Sequence, residues 1–193
     1  YSVDGSGNLT LIDSITPTQD SVSGGSSYDP TGRAVHSDGT FIYLARDTGG
    51  LISYSVDGSG NLTHIDQHDP PMVFPAAGGD RARGVWGDGN FIYVTTIAGG
   101  LHSYSVDGSG NLTYIDSGNQ LPAGATVYGS PWGDGTYIYM PVYGLKGGIH
   151  SYSVDGSGNL TFIASHEPAP GEHVAMTSVW GDGDFIYGAA ASG

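Results

Sequence analysis

Short runs of apolar, aromatic and β-branched residues alternate along this chain with breaks rich in Gly and Asp. The stretch from Arg83 to Asp116 shows the pattern most plainly. Arg83-Gly84-Val85-Trp86 predicts a first strand, and Phe91 to Thr96 predicts a second, made of residue types that suit a pleated surface. Leu101 to Val106 predicts a third strand and Asn111 to Asp116 a fourth. Between them lie Gly87-Asp88-Gly89-Asn90, Ala98-Gly99-Gly100 and Asp107-Gly108-Ser109-Gly110. Asp-Gly steps are hairpin signals, because Gly tolerates the positive φ that twisted two-strand connections require. The second strand is apolar throughout, as in a sheet covered on both faces.

This four-strand pattern repeats. The string YSVDGSGNLT begins at Tyr1, Tyr54, Tyr104 and Tyr152, with spacings of 53, 50 and 48 residues. A second string answers it in each unit: SDGTFIY from Ser37, GDGNFIY from Gly87, GDGTYIY from Gly133 and GDGDFIY from Gly181. Four-stranded units repeating every 40 to 50 residues or so predict an all-β fold, a β-propeller of four-stranded antiparallel blades. The Gly density and the missing 3.6-residue period exclude a helical solenoid. The connections from fourth strand to next first strand vary: about Ser14 to Thr31, Gln67 to Asp80, Ser117 to Tyr128 and Ser165 to Met176. Variable loops on a repeated scaffold are where recognition is expected.

Composition narrows the partners. The net charge is −14, from 19 acidic against 5 basic residues, which argues against nucleic acid and anionic membrane surfaces. With no Cys, disulfides, thiolate metal sites and a Cys nucleophile are excluded. No run approaches the ~18 apolar residues of a membrane-spanning helix. The sequence opens in mid-pattern at Tyr1, which suggests a processed product or a piece of a longer chain. Two arrangements follow: one four-blade ring, closed by strands from Tyr1 pairing with those reaching Gly193, or part of a larger ring. The first is preferred, because it covers otherwise open strand edges.

Phe41-Ile42-Tyr43-Leu44-Ala45, the Gly49-Gly50 turn, Ser53 to Asp57 and Gly60 to Ile65 together resemble the YVTN/lactonase-like bacterial propeller repeats. Near-identical copies of such units also resemble repeat proteins of marine phages and environmental bacteria. The resemblance covers nearly all the chain outside the variable loops. It implies a propeller, usually of more than four blades, in a family that includes 6-phosphogluconolactonase-like hydrolases. No catalytic motif of that family maps onto positions here, so the resemblance carries over no catalytic residue.

Candidate chemistry is sparse. Asp4, Ser6 and Asn8, with Asp57/Ser59/Asn61, Asp107/Ser109/Asn111 and Asp155/Ser157/Asn159, place oxygens at alternate loop positions, as a Ca²⁺ site would. These loops lack further carboxylates, so turn capping through local hydrogen bonds is the preferred reading, with no cofactor expected. Asn8, Asn61, Asn111 and Asn159 each open an Asn-Leu-Thr glycosylation sequon. His102 and His150 hold equivalent strand positions and read as packing residues facing a neighbouring blade. His36 stands where the other units have Trp86, Trp132 and Trp180. His68, His166 and His173 lie in or beside variable loops, near Asp69, Glu167 and Glu172, without any recognised metal-ligand spacing. No nucleophile elbow exists for acyl transfer.

The five basic residues are Arg33, Arg46, Arg81, Arg83 and Lys146, and each falls at a connection expected on one face. The hairpin aspartates belong to the opposite face. Arg46, His68, Arg81, Arg83, Tyr128, Tyr143, Lys146, His166 and His173 are the candidate ligand-binding residues, with Tyr28 and Phe74 beside them. Guanidinium groups among exposed aromatics suit a glycan or a small acidic ligand. The expectation is a non-catalytic scaffold for attachment, assembly or ligand display, extracellular, on a cell surface or on a virion. Its partners would be a glycan, a small acidic ligand, a protein surface or other copies of itself. The alternative is a lactonase-like hydrolase at the channel mouth.

Overall fold

The computed structural model describes residues 1–15, 31–47, 50–68, 81–118, 121–144, 147–166 and 174–191. They form an all-β, antiparallel structure of the β-propeller type, and none of them is helical. Among the described residues no helix is long and apolar enough to cross a membrane.

The first complete unit is β3 (Gly32–Ser37), β4 (Phe41–Arg46), β5 (Gly50–Val56) and β6 (Leu62–His68), hydrogen-bonded in chain order. The second repeats it with β7 (Ala82–Gly87), β8 (Phe91–Thr96), β9 (Gly100–Val106) and β10 (Leu112–Ser117). Preceding both, β1 (Ser2–Val3) and β2 (Leu9–Thr10) form a two-stranded sheet. The observed strands match the expected ones to within a residue or two.

Four equal four-stranded sheets are not what forms. In the third unit, β11 is only Trp132–Gly133, followed by β12 (Tyr137–Gly144), β13 (Gly148–Val154) and β14 (Leu160–His166). Pro131 stands where the second unit has Val85, and without an N–H it cannot extend the ladder. β12 instead runs eight residues. Its last two, Tyr143 and Gly144, pair with Ala175 and Val174 of β15 (Val174–Gly181). β15 also pairs with β16 (Ile186–Ala191), so the third sheet has six strands. Among the described residues, no ladder joins β16 to β1.

Two features recur from unit to unit and lock the sheets together. The first is an aromatic stack at the hairpin end of each first and second strand. Trp86 lies over Tyr93 (5.8 Å), Trp132 over Tyr139 (6.0 Å), Trp180 over Tyr187 (6.1 Å), and His36 takes the same place over Tyr43 (6.4 Å). Each tyrosine hydroxyl donates to the turn aspartate five residues before it, as Tyr93 does to Asp88 at 2.8 Å. Burial and this bond together push the Tyr93 hydroxyl pKa up. The Trp edge then lies against a glycine of the next unit. A Cβ at Gly133 would come within 2.7 Å of Trp86.

The second feature is a set of hydrogen bonds across units. Asp13, Asp66 and Asp116 each accept, at 2.9 Å, from the amide of a leucine in the following unit: Leu62, Leu112 and Leu160. Ser53 and Ser103 donate to the carbonyls of Gly110 and Gly158 at 2.7 Å. Apolar side chains fill the space between these bonds. Tyr43, Leu51, Val94 and Tyr104 make one core, and Tyr93, Leu101, Met140 and Tyr152 the next.

Candidate functional site

The end of the sheets opposite the Asp-Gly hairpins gathers the arginines. Antiparallel pairing sets Gly32 beside Arg46, so the start of β3 and the end of β4 share that end. Asp47 follows directly, its amide donating to the Thr31 carbonyl at 3.1 Å. In the second unit Arg81 precedes β7, and its carbonyl accepts from the Ile97 amide at 3.0 Å. Ile97 in turn accepts from Val127, which fixes the third unit's Tyr128 nearby.

Three guanidinium groups converge on Asp47, whose side chain is 2% exposed. Arg33 donates to Oδ2 through both Nε and Nη2. Arg83 Nη1 reaches the same oxygen at 3.3 Å. Arg81 Nε lies 3.6 Å from Oδ1, an ion-pair distance too long for a hydrogen bond. Arg83 also lies over the Tyr128 ring, 5.5 Å from its centroid, and Tyr128 meets Tyr143 edge to face at 5.2 Å. The paired amides and carbonyls of Thr126 and Tyr143 hold those two rings in place.

Three cations face one carboxylate among the described residues. Burial pulls the Arg83 pKa below its ordinary value. Asp47 opposes that shift, while Arg33 and Arg81 add to it. Arg83 is nine-tenths buried, and its Nε is enclosed with no hydrogen-bond acceptor among the described residues. By contrast Arg81 is half exposed, and Tyr128 and Tyr143 are exposed beside it. The arrangement is thus a partly covered cationic cluster bordered by two exposed aromatic rings.

The structure brings Arg81, Arg83, Tyr128 and Tyr143 together with Arg33. Arg46 lies beneath the surface, 4% exposed, near Tyr54. His68 does not join them. It packs between Tyr104 at 5.3 Å and Tyr114 at 6.2 Å, as part of the contact between units. His166 ends β14, paired with Ile149 at the same end of the sheets but in a different unit from the arginines. Lys146, His173, Tyr28 and Phe74 lie outside the described residues. His102 and His150 are buried, His102 near Thr96 and Tyr114 and His150 against Phe162. Tyr114 and Phe162 belong to the fourth strands of the same units.

Asp47 escaped the sequence reading, because one Asp before a Gly-Gly turn looks like turn chemistry. The signal was a break in the repeat: Arg46-Asp47 stand where the next unit has Thr96-Ile97.

The hairpin loops use their oxygens internally. In each YSVDGSGNLT turn the aspartate accepts two backbone amides on Oδ1, and the asparagine Nδ2 donates to Oδ2, as in Asp57–Asn61 at 2.7 Å. Those bonds hold the Asp4, Asp57, Asp107 and Asp155 carboxyls below the usual carboxylate range, the asparagine bond being the largest cause. No group of three or more potential metal-ligating side chains occurs among the described residues.

No known protein family matches the sequence, and no curated protein matches it. Solved structures do. A protein from Lactobacillus plantarum matches with a TM-score of 0.61 and 18% identity, over 86% of this chain and 49% of its own. A europium-containing methanol dehydrogenase matches with a TM-score of 0.47 and 17% identity, over 67% of this chain and 24% of its own. The chain therefore spans about half the length of the first structure. The likeness to the first structure supports the β-propeller fold.

Proposed function

We propose that this chain is a non-catalytic propeller module that binds an acidic ligand, a carboxylate- or sulfate-bearing glycan, at the Arg33/Arg81/Arg83 cluster. The observation that carries this reading is the convergence of Arg33, Arg81 and Arg83 beside the exposed Tyr128 and Tyr143 rings, in a protein whose net charge is −14. Arginine pairs with planar oxyanions through two parallel bonds, and a sugar ring stacks on exposed aromatic faces such as Tyr128 and Tyr143. Within this reading, the four repeats make one scaffold of four blades whose varying connections frame the patch. Attachment or ligand display outside the cell, or on a virion, is the use such a module suits.

A hydrolase at the same place would need a base within reach of its substrate. Asp47 is 2% exposed behind three guanidinium groups, so the scaffold reading is preferred.

The test is titration calorimetry with uronic-acid-containing, sulfated and neutral oligosaccharides. Acidic members should bind, and more weakly as salt rises. Arg81→Ala and Arg33→Ala should each weaken that binding by about tenfold, the loss of one charge-assisted contact. Equal binding of neutral sugars, or no binding of any acidic one, would overturn the proposal.

A further inference from the structure

The sequence holds eight Asp-Gly pairs, and each lies in a hairpin turn. Asp4, Asp57, Asp107 and Asp155 open the turns between third and fourth strands, and Asp38, Asp88, Asp134 and Asp182 those between first and second. At such a pair the backbone can rearrange without an enzyme. The glycine amide nitrogen attacks the aspartate Cγ, with no glycine side chain to block its approach. The carboxyl hydroxyl and the amide hydrogen leave together as one water, and a succinimide ring closes. One water then reopens the ring at the former main-chain carbonyl. The chain now runs through Cγ as isoaspartate, and that carbonyl has become a free carboxylate. Water is lost and regained, so no other reactant is needed.

Closing the ring swings Cγ onto the glycine nitrogen, which breaks whatever bonds hold the carboxyl oxygens. Seven of the eight aspartates are held at both oxygens. In the Asp4, Asp57, Asp107 and Asp155 turns, Oδ1 accepts two backbone amides at 2.8 and 2.9 Å. The asparagine side chain closes Oδ2 at 2.7 to 2.8 Å. That asparagine bond first, and the amide bonds after it, also keep these carboxyls below their usual range, which depletes the acid form that cyclises. In the Asp38, Asp88 and Asp182 turns, Oδ1 accepts two amides at 2.7 to 3.0 Å. There a tyrosine hydroxyl closes Oδ2 at 2.6 to 2.8 Å.

Asp134 is the exception. Its Oδ1 accepts the Thr136 and Tyr137 amides at 2.8 Å, but the Tyr139 hydroxyl stands 3.4 Å from Oδ2, beyond the usual range for two oxygens. Its hairpin is also the weakest of its kind. β11 and β12 share two residue pairs, Trp132 with Tyr139 and Gly133 with Ile138, against five or six pairs in the other three. Pro131, which offers no N–H, cuts that ladder short. A turn closed by so few ladder bonds opens locally at low cost. The Asp4 hairpin has two pairs as well, but there Asn8 holds Oδ2 at 2.8 Å. Residues 134 to 137 are all exposed, and nothing lies within 4 Å of where a Cβ at Gly135 would stand.

We infer that Asp134-Gly135 is a site of spontaneous modification, the Asp-Gly pair at which the folded chain first converts to isoaspartate. Conversion takes the acceptor away from the Thr136 and Tyr137 amides. It also lengthens by one backbone atom the turn that sets Trp132 over Tyr139. Ageing of the protein therefore begins in the third unit, while the seven other turns keep their form.

The test is to age the 193-residue chain at mildly acid pH and map isoaspartate at all eight pairs. A protease that cuts before aspartate but not before isoaspartate, followed by mass spectrometry, reads each site separately. Asp134 should convert several-fold faster than any of the other seven. In concentrated urea the eight rates should draw together, because the bonds that set them apart are gone. Tyr93→Phe removes the hydroxyl from Asp88 Oδ2 and should raise conversion at Asp88 several-fold. Tyr139→Phe should leave Asp134 nearly unchanged, since that bond is already too long. Another pair converting first in the folded chain, the same order and spread in urea, or an Asp88 rate indifferent to Tyr93→Phe would each overturn the inference.

Discussion

Asp116 Oδ2 accepts a hydrogen bond at 2.9 Å from the backbone amide of Leu160, in the next unit of the repeat. The same bond ties Asp66 to Leu112 and Asp13 to Leu62, so one side chain per unit fastens each sheet to its successor. Asp116→Ala removes the acceptor and leaves the Leu160 amide without its partner at a partly buried site. The expected loss is about 1–2 kcal/mol, read as a lower urea midpoint with an unchanged slope. An unchanged midpoint would show that the bond adds nothing to stability.

Gly133 makes a second structural prediction. A methyl group there would press on Ile138 at 2.6 Å and on Trp86 at 2.7 Å. Gly133→Ala should cost about 1–3 kcal/mol, the range for overpacking a filled site. Ser37→Ala, at the equivalent position of the first unit, should cost at most about 1 kcal/mol, the loss of the exposed hydroxyl's bonds to the Phe41 carbonyl and from the Gly39 amide, because a Cβ is already accommodated there. Thermal unfolding of the two variants side by side checks the contrast.

The four Asp–Asn turns set an acid limb. The folded pKa values of Asp4, Asp57, Asp107 and Asp155 are lowered, chiefly by the asparagine side chains. A lowered carboxyl pKa contributes stability that is complete above the unfolded value of ~3.9 and is lost as pH falls through the folded value. The urea midpoint should therefore decline below about pH 4. The double variant Asn61→Ala/Asn111→Ala should show a shallower decline than the parent chain.

Much of this architecture was legible in the sequence, because each unit repeats it. The Phe91–Thr96 run, the Asp-Gly turns and the YSVDGSGNLT strings each appear where strands and hairpins form. The altered third sheet was not read, although Pro131 announced it: a missing N–H shortens β11, and β12 extends to take β15 as a partner. At the candidate site, the arginines were visible as a cluster of strand starts and ends. Asp47 was not, because its role depends on Arg33 one strand earlier and on Arg81 and Arg83 of the neighbouring unit, which no local pattern around it reveals.

Asp47 itself offers a stability test of the arginine cluster. Asp47→Asn leaves Arg33, Arg81 and Arg83 facing one another without the carboxylate. The expected loss is about 2–3 kcal/mol, less than for a fully enclosed pair, since Arg33 and Arg81 keep contact with water. Sulfate at constant ionic strength should recover part of that loss, and more than it adds to the parent chain. Equal effects of sulfate and chloride on the variant's melting temperature would contradict a local anion site.

The most direct measurement follows the arginine Nε–Hε signals in a ¹H–¹⁵N spectrum during titration with an acidic oligosaccharide. The signals of Arg33, Arg81 and Arg83 should move together and saturate at one dissociation constant. The amides of the Asp57–Asn61 and Asp107–Asn111 turns, at the opposite end of the sheets, should stay still. Shifts confined to the hairpin turns, or arginine signals unmoved at saturating ligand, would contradict the assignment of this cluster as the binding site.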